Sequence, residues 1–297
     1  MKFGVCLPNY GNHLSKEALI ESSKLAEQLG FDSVWTTDHI LVPKKHSDPY
    51  GNILDCLITV AYLGAVTEKV QLGTSILVLP LRNPIVVAKQ VATIDYLTNG
   101  RLILGTAVGW MEEEFQNLAT SFRGRGKRFE EAINLIRTLH RNDSPEFRGR
   151  YHKFNDAVFK PRHPRDNGPI IWFGGNSEAA VRRAAKLADG WHPVGLSLEN
   201  YGAAVQKIKS MLPHGKPFTF SQRILVDIDG KAQSHLASSG ERRDVISGPV
   251  DRTIRGIQEY HDAGLEHLVC YFGDIELKLL KKKITQFADQ IMPSFKK

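Results

Sequence analysis

The feature that most constrains this chain is one fully punctuated strand–helix–strand unit, Val70–Trp110, which reads VQLGTSILVLPLRNPIVVAKQVATIDYLTNGRLILGTAVGW. The apolar run before Pro80 and the run Leu102–Leu104 are short, partly β-branched and bounded by glycine. Strands buried on both faces of a parallel sheet have this pattern. Between them, Asn83-Pro84 supplies a cap and a proline in the first helical turn, and Asn99-Gly100 supplies the stop. A parallel pair joined through a helix buries its faces only beside further units of the same kind, so the rest of the chain should repeat it.

It does. Lys2–Pro8 reads as a first strand. Ser15 then caps a helix whose residues Ala18, Leu19, Ser22, Leu25, Ala26 and Leu29 share one face, Gly30 ends it, and Phe31–Trp35 is a second strand. The same helix–glycine–strand joint returns at Ala188–Val194 and Ala263–Phe272. The full strand set is Lys2–Pro8, Phe31–Trp35, Val70–Ile76, Leu102–Thr106, Ile170–Phe173, Gly190–Val194, Phe218–Ile228 and His267–Phe272. Helical patterns follow at Asp55–Val66, Ile85–Leu97, Lys127–His140, Ser177–Ala188, Glu199–Met211, Val250–Ala263 and Glu276–Met292. Eight alternations predict an α/β fold, a (β/α)8 TIM barrel, as one domain over residues 1–297. A doubly wound open sheet is the alternative, weakened because no GxGxxG follows the first strand.

Two connections exceed simple turns. Residues 143–169 read as a hairpin followed by an extended proline segment, and the polar stretch 229–248 as a mobile lid or disordered loop on the face where barrel active sites sit. Thr36–Asn52 is a third candidate for a pocket wall.

Composition narrows the function classes. No apolar run reaches membrane-spanning length, and MKFGVCLPNYG enters a strand directly, without signal-peptide character. Cys6, Cys56 and Cys270 are far apart and lack CxxC spacing, so reduced thiols in a cytoplasmic protein are expected. The formal net charge is +7. Basic residues cluster at Arg123–Arg128 and among Lys278, Lys281, Lys282, Lys283, Lys296 and Lys297. Without aromatic interleaving or a recognition helix, they argue against nucleic acid. An anionic cofactor or substrate fits better, a solvated basic surface being the plain alternative.

In a barrel the chemistry sits at strand C-termini. There the chain carries Asn9 and Tyr10, Asp38 and His39, Ser75 and Ile76, Thr106 to Trp110, Gly174 to Ser177, His192, and Tyr271 with Phe272. No HxH pair is present, and a metal hydrolase would require Asp38, His39 and His192 to converge. GGNSEAA at Gly174–Ala180 ends a strand and opens a helix, which suits a phosphate, although a plain capping turn has the same look. Arg182 and Arg183 behind it are expected to face solvent. His39 is a candidate proton donor or ligand hydrogen-bond partner. Trp110, behind Gly109, is either core or a wall for a flat ring.

Taken together, TTDHILVP, DPYGNILD, LGTSILVLPLRNPIVVAKQVATIDYLTNGRLILGTAVGWMEEEF, RGKRFEEAI and IWFGGNSEAAVRRAAKLADGWHP resemble the luciferase-like monooxygenase superfamily, and more narrowly its coenzyme F-420-dependent oxidoreductases. The resemblance is dense over residues 2–195 and loose beyond. It implies a TIM barrel binding the deazaflavin F-420, or alternatively FMN, at its mouth. Ser75–Ile76 matches a bulge behind the ring that often carries a non-prolyl cis peptide. His39 matches the histidine beside the ring, and Asp38 the acid before it. Thr106, Ala107 and Trp110 match the wall after the fourth strand, and Gly174, Gly175, Asn176 and Ser177 the phosphate turn. The implied function is hydride transfer to or from a small organic substrate in a homodimeric enzyme. An FMN-dependent monooxygenase is the near alternative. A non-catalytic flavin- or deazaflavin-binding protein and a metal-dependent barrel hydrolase are the alternatives of other classes. One departure stands out: sugar-phosphate dehydrogenases of this family carry a catalytic glutamate where this chain has Val108, so their substrate is not carried over. Glu112, Glu113 and Glu114 follow, and read as a cap for the next helix.

Overall fold

The computed structural model describes residues 1–161, 165 and 168–295. Lys296 and Lys297 of the basic cluster, and residues 162–164, 166 and 167 of the long connection, lie outside these. The first half of the chain runs through β1 (Lys2–Cys6), α1 (Lys16–Gln28), β2 (Ser33–Thr36), α2 (Ser47–Tyr50), α3 (Cys56–Val66), β3 (Gln71–Thr74), β4 (Leu77–Val78), α4 (Pro84–Thr98), β5 (Leu102–Ala107), α5 (Glu112–Asn117) and α6 (Arg125–Arg141). A small hairpin, β6 (Phe147–Arg148) and β7 (Lys153–Phe154), follows. Then come β8 (Ile170–Phe173), α7 (Glu178–Leu187), β9 (Gly190–Trp191), α8 (Leu198–Met211), β10 (Thr219–Ile228), β11 (Ser234–Leu236), β12 (Arg242–Gly248), α9 (Val250–Asp262), β13 (His267–Tyr271) and α10 (Leu277–Gln290).

Eight strands pair in parallel in the order β1-β2-β3-β5-β8-β9-β10-β13, and β13 returns to β1 through Phe3↔Leu268 and Val5↔Cys270. The sheet is therefore a closed barrel wrapped by helices, as the alternation predicted, and the open doubly wound sheet is excluded. Closure leaves no exposed edge among these eight strands.

The punctuation acts as read. Asn83 accepts from the Ile85 N–H at 2.9 Å with Pro84 at the first helical position, and Asn99 closes α4 in the left-handed conformation, φ 55°. Inside the barrel, Trp35 stacks on Trp172 with ring centroids 5.4 Å apart. Two indoles fit because glycine faces them. A Cβ on Gly73 would overlap the Trp35 ring, and one on Gly190 would come within 2.6 Å of Trp172 Cδ1. A second apolar layer, including Leu63, Val91, Ile136 and Ile284, seals the helices onto the outside of the strands.

Two segments differ from the sequence reading. The strand expected over Val70–Ile76 is divided: β3 stops at Thr74 and β4 resumes at Leu77, and the break carries the cis peptide between Ser75 and Ile76 that the resemblance implied. Residues 229–248, read as a lid or disordered loop, contain β11 and β12. These two form an antiparallel hairpin, and β12 also pairs in parallel with β10. Val245 and Ile246 are buried and supply the apolar face that the surrounding charges obscured. The connection after α6 contains the hairpin expected of it, held by the Glu131 carboxylate, which accepts from the Arg150, Tyr151 and His152 N–H groups.

Candidate active site

The strand ends open into a cavity of about 370 Å³ whose wall includes His39, Ser75, Ile76, Trp110, Gly174 and Arg223. Of the predicted site residues, Asp38, His39, Ser75, Ile76, Ala107, Trp110, Gly174, Gly175, Asn176 and Ser177 all border it. Thr106 does not. It is fully buried, its hydroxyl donates to the Leu77 carbonyl at 3.0 Å, and its own carbonyl receives the Gly174 N–H. It therefore holds β4 and the glycine turn in place from behind the wall.

Ser75 is fixed from three directions. Its N–H donates to the Thr36 carbonyl at 2.7 Å, its hydroxyl meets His192 Nε2 at 3.0 Å, and its carbonyl accepts from Arg223 Nη1 at 3.0 Å. His192 is fully buried against Trp35, with Nδ1 on the Ser221 hydroxyl at 2.7 Å. Burial, and the neighbouring Arg223 and His267, push its pKa well below the usual histidine range, so it serves as a neutral brace. The backbone at Ser75–Ile76 is thus a prearranged floor.

Asp38 borders the cavity, but its carboxylate is used within the protein. Oδ1 and Oδ2 take a bidentate pair from Arg82 at 2.9 Å each, and Oδ2 also accepts the Val78 N–H. His39, one residue on, faces the opposite way. Its Nδ1 lies 2.8 Å from Glu114 Oε2, while Glu114 Oε1 accepts the Ile40 N–H at 2.6 Å. Burial alone would raise the Glu114 pKa. Bonds from His39 and from the Ile40 and Leu41 backbone outweigh that and hold it below the usual glutamate range. An ionised Glu114 favours the tautomer with hydrogen on Nδ1. Nε2 has no hydrogen-bond partner among the described residues, and the His39 side chain lines the cavity. The His39 ring packs against Tyr50 at 4.5 Å, and Trp110 stands edge-on at 6.0 Å.

Glu112, Glu113 and Glu114 form the first turn of α5 but do not cap it: the cap position is Met111, without a side-chain cap bond, and Glu114 turns inward to His39. At Val108 the wall is apolar, so no carboxylate replaces the missing glutamate from that position.

At the far end, α7 begins at the glycine turn. Ser177 accepts from the Ala180 N–H, and Asn176 spans to Val194, donating to its carbonyl at 3.1 Å. The remaining first-turn amides have no partners within a helix. A Cβ on Gly174 would lie 2.8 Å from Ile76 Cγ1, so glycine there is what keeps the corner open against the floor. Arg183 borders this corner instead of facing solvent. It pairs through Nε with Glu130 at 2.9 Å, whereas Arg182 stays on the surface with Glu178. Arg125 joins it, its guanidinium 3.6 Å over the Phe122 ring. Partial burial and the nearby Arg183 charge lower the Arg125 pKa. Two guanidinium groups and a helix N-terminus thus gather positive charge at one corner of the cavity.

Asp38, His39 and His192 do not converge. Each is bonded to a different partner, and no group of three or more His, Cys, Asp or Glu side chains among the described residues is arranged to hold a metal. Sequence reasoning missed Glu114, Arg125, Arg183 and Arg223 as site residues.

Comparison with known proteins agrees with this geometry. The family model for luciferase-like monooxygenases matches residues 1–226. An F420-dependent glucose-6-phosphate dehydrogenase of Amycolatopsis mediterranei is 28% identical, covering 94% of each chain. An FMNH(2)-dependent dimethylsulfone monooxygenase of Pseudomonas putida is 32% identical over 52% of this chain and 43% of its own. Among solved structures, an F420-dependent secondary alcohol dehydrogenase in complex with an F420-acetone adduct superposes with a TM-score of 0.83. It is 19% identical and covers 100% of this chain and 99% of its own. Both the barrel and the motifs at its mouth therefore have one origin: the chain belongs to the luciferase-like monooxygenase family.

Proposed function

We propose that this protein is an oxidoreductase that binds coenzyme F-420 at the barrel mouth and transfers hydride to or from a small organic substrate. FMN is the second reading, favoured by the likeness to the FMNH(2)-dependent monooxygenase. The observation that carries the proposal is the presence in one cavity of a braced floor at Ser75–Ile76, a positively charged corner at α7 and a His39 whose Nε2 has no partner among the described residues.

The cofactor fits what is present. Ser75 and Ile76 would back the ring, Ala107 and Trp110 would wall it, and Gly174 to Ser177 with Arg125 and Arg183 would hold the phosphate. When bound, F-420 supplies a carbon that accepts or gives up hydride. The chain's own residues do the rest. Glu114 orients His39, and His39 Nε2 takes up or delivers the accompanying proton. Asp38, committed to Arg82, holds the loop that presents His39.

F-420 is preferred over FMN on two grounds. A relative that covers 94% of this chain carries that dependence in its name, and the net charge of +7 suits a cofactor tail with several acidic groups. We infer one domain and a homodimer. The support for the dimer is an exposed apolar face that includes Ile58 and Tyr62 on α3 and Val86, Tyr96 and Leu97 on α4. A cytoplasmic location fits the three buried, unpaired cysteines.

Titration of the purified protein with F-420 and with FMN, followed by fluorescence quenching, tests the reading. F-420 should bind in the micromolar range or tighter, and more tightly than FMN. Binding of neither would remove the proposal.

A further inference from the structure

Beside the cofactor cavity lies a second one of about 270 Å³, which shares Tyr50, Val194, Arg223 and Arg243 with it as lining residues. Its outer wall is the β11–β12 hairpin, in which His235 and Arg243 are direct cross-strand partners. Residues paired in this way project from the same face. His235 Nδ1 and Arg243 Nε are both buried and have no hydrogen-bond partner among the described residues. A buried, unmet polar nitrogen costs about 1–3 kcal/mol, and two of them on one face of a hairpin that lines a cavity point to a ligand that meets them.

The charge balance points the same way. Arg223 is only 6% exposed, and among the described residues it has no carboxylate partner. Its Nη1 is spent on the Thr37 hydroxyl and the Ser75 carbonyl. Arg243 reaches only Glu241, at 3.6 Å, and that glutamate is half exposed. Among the described residues the one carboxylate in the cavity wall, Asp48, is exposed and pairs with neither arginine. Opposite the hairpin stand Tyr10, Tyr50 and Tyr271. Tyr10 and Tyr271 stack at 6.2 Å, and burial pushes the Tyr271 hydroxyl up to about 12. The lining therefore offers cations, neutral donors and aromatic surface, and little that accepts. Tyr50 connects it to the proton-exchanging side, because the same ring packs on His39.

We propose that this second cavity is the substrate's anion pocket. It takes a small organic acid or phosphomonoester whose oxygens are received by Arg243 and His235 while its body lies along Tyr10 and Tyr50 toward His39. The assignment to substrate rests on the cofactor occupying the first cavity. The anion preference rests on the hairpin alone.

Calorimetric titration of the cofactor-loaded protein with benzoate, phenyl phosphate and benzyl alcohol tests it, with the apoprotein run in parallel. At least one of the two anions should bind tenfold or more tightly than the neutral alcohol. Preference for benzoate or for phenyl phosphate then says whether the natural group is a carboxylate or a phosphate. Arg243→Gln should abolish the preference and leave the cofactor Kd within twofold. Arg242→Gln, which removes the same charge from the exposed neighbour that bonds Ser234, should keep it. Equal binding of anion and alcohol overturns the proposal. So does an Arg243→Gln variant that loses tenfold in cofactor affinity and nothing in benzoate affinity, since the arginine would then serve the cofactor. An anion preference in a protein that binds neither F-420 nor FMN would leave the pocket standing and remove the proposed function.

Discussion

On the floor of the mouth, formed by the ends of β3, β5 and β8, polar groups find their partners inside the protein. Ser75 is held by Thr36, His192 and Arg223, Thr106 by Leu77, and Asn176 by Val194. On the facing side, formed by the β11–β12 hairpin and three tyrosines, His235 and Arg243 keep buried nitrogens with no partner among the described residues. A wall whose hydrogen bonds close on themselves is fixed before any ligand arrives. A wall with open donors gets its last bonds from what binds. The first suits an invariant group presented again and again. The second suits whatever distinguishes this protein's substrate from those of its relatives.

The comparison predicts where substitutions act. His39→Ala should have the largest effect, lowering kcat by roughly 10²- to 10⁴-fold, the usual contribution of a positioned proton-transfer group. Cofactor affinity should change little. Steady-state kinetics beside a cofactor titration would check this, and unchanged turnover would remove His39 from the mechanism. Glu114→Gln comes next. Its two oxygens serve two donors, His39 and the Ile40 N–H, and an amide has only one oxygen to offer. One donor is then unmet, at about 1–3 kcal/mol. The kcat should fall about tenfold with KM nearly constant. A change confined to KM would place Glu114 in substrate binding instead.

Smaller effects separate the two neighbouring arginines. Arg183→Ala should weaken cofactor binding by roughly tenfold, the scale of one charge-assisted hydrogen bond. Arg182→Ala should leave it unchanged, because that side chain is exposed and paired with Glu178. Equal losses in the two variants would mean that general positive charge, and not a built corner, attracts the cofactor.

How legible the molecule was in its sequence follows the same division. The barrel was readable because its signals are local: Asn83-Pro84 and Asn99-Gly100 bracket α4 whatever the tertiary context, and glycine joints recur between helices and strands. The floor was readable for the same reason, since Ser75, His39 and Gly174 stand at strand ends. Glu114 was not, because it meets His39 across 75 residues of chain, and a run of three glutamates looks like a helix start, which it also is. Arg223 sits within the strand sequence TFSQRILVDI, where an arginine ordinarily reads as the outer face. The Arg182-Arg183 pair is ambiguous in any helix, as one turn angle sends one outward and its neighbour toward the site. The hairpin was hidden because Arg242, Arg243 and Asp244 are atypical strand residues, accommodated at the end of the sheet by antiparallel pairing to the short β11.

The most direct test of the account is a crystal structure of the protein soaked with F-420. The ring should lie over the Ser75–Ile76 backbone with His39 at its edge, and the phosphate among the Gly175–Ser177 amides, Arg125 and Arg183. A cofactor whose phosphate sits instead against Arg243 and His235, or whose ring lies outside the barrel mouth, would contradict that placement.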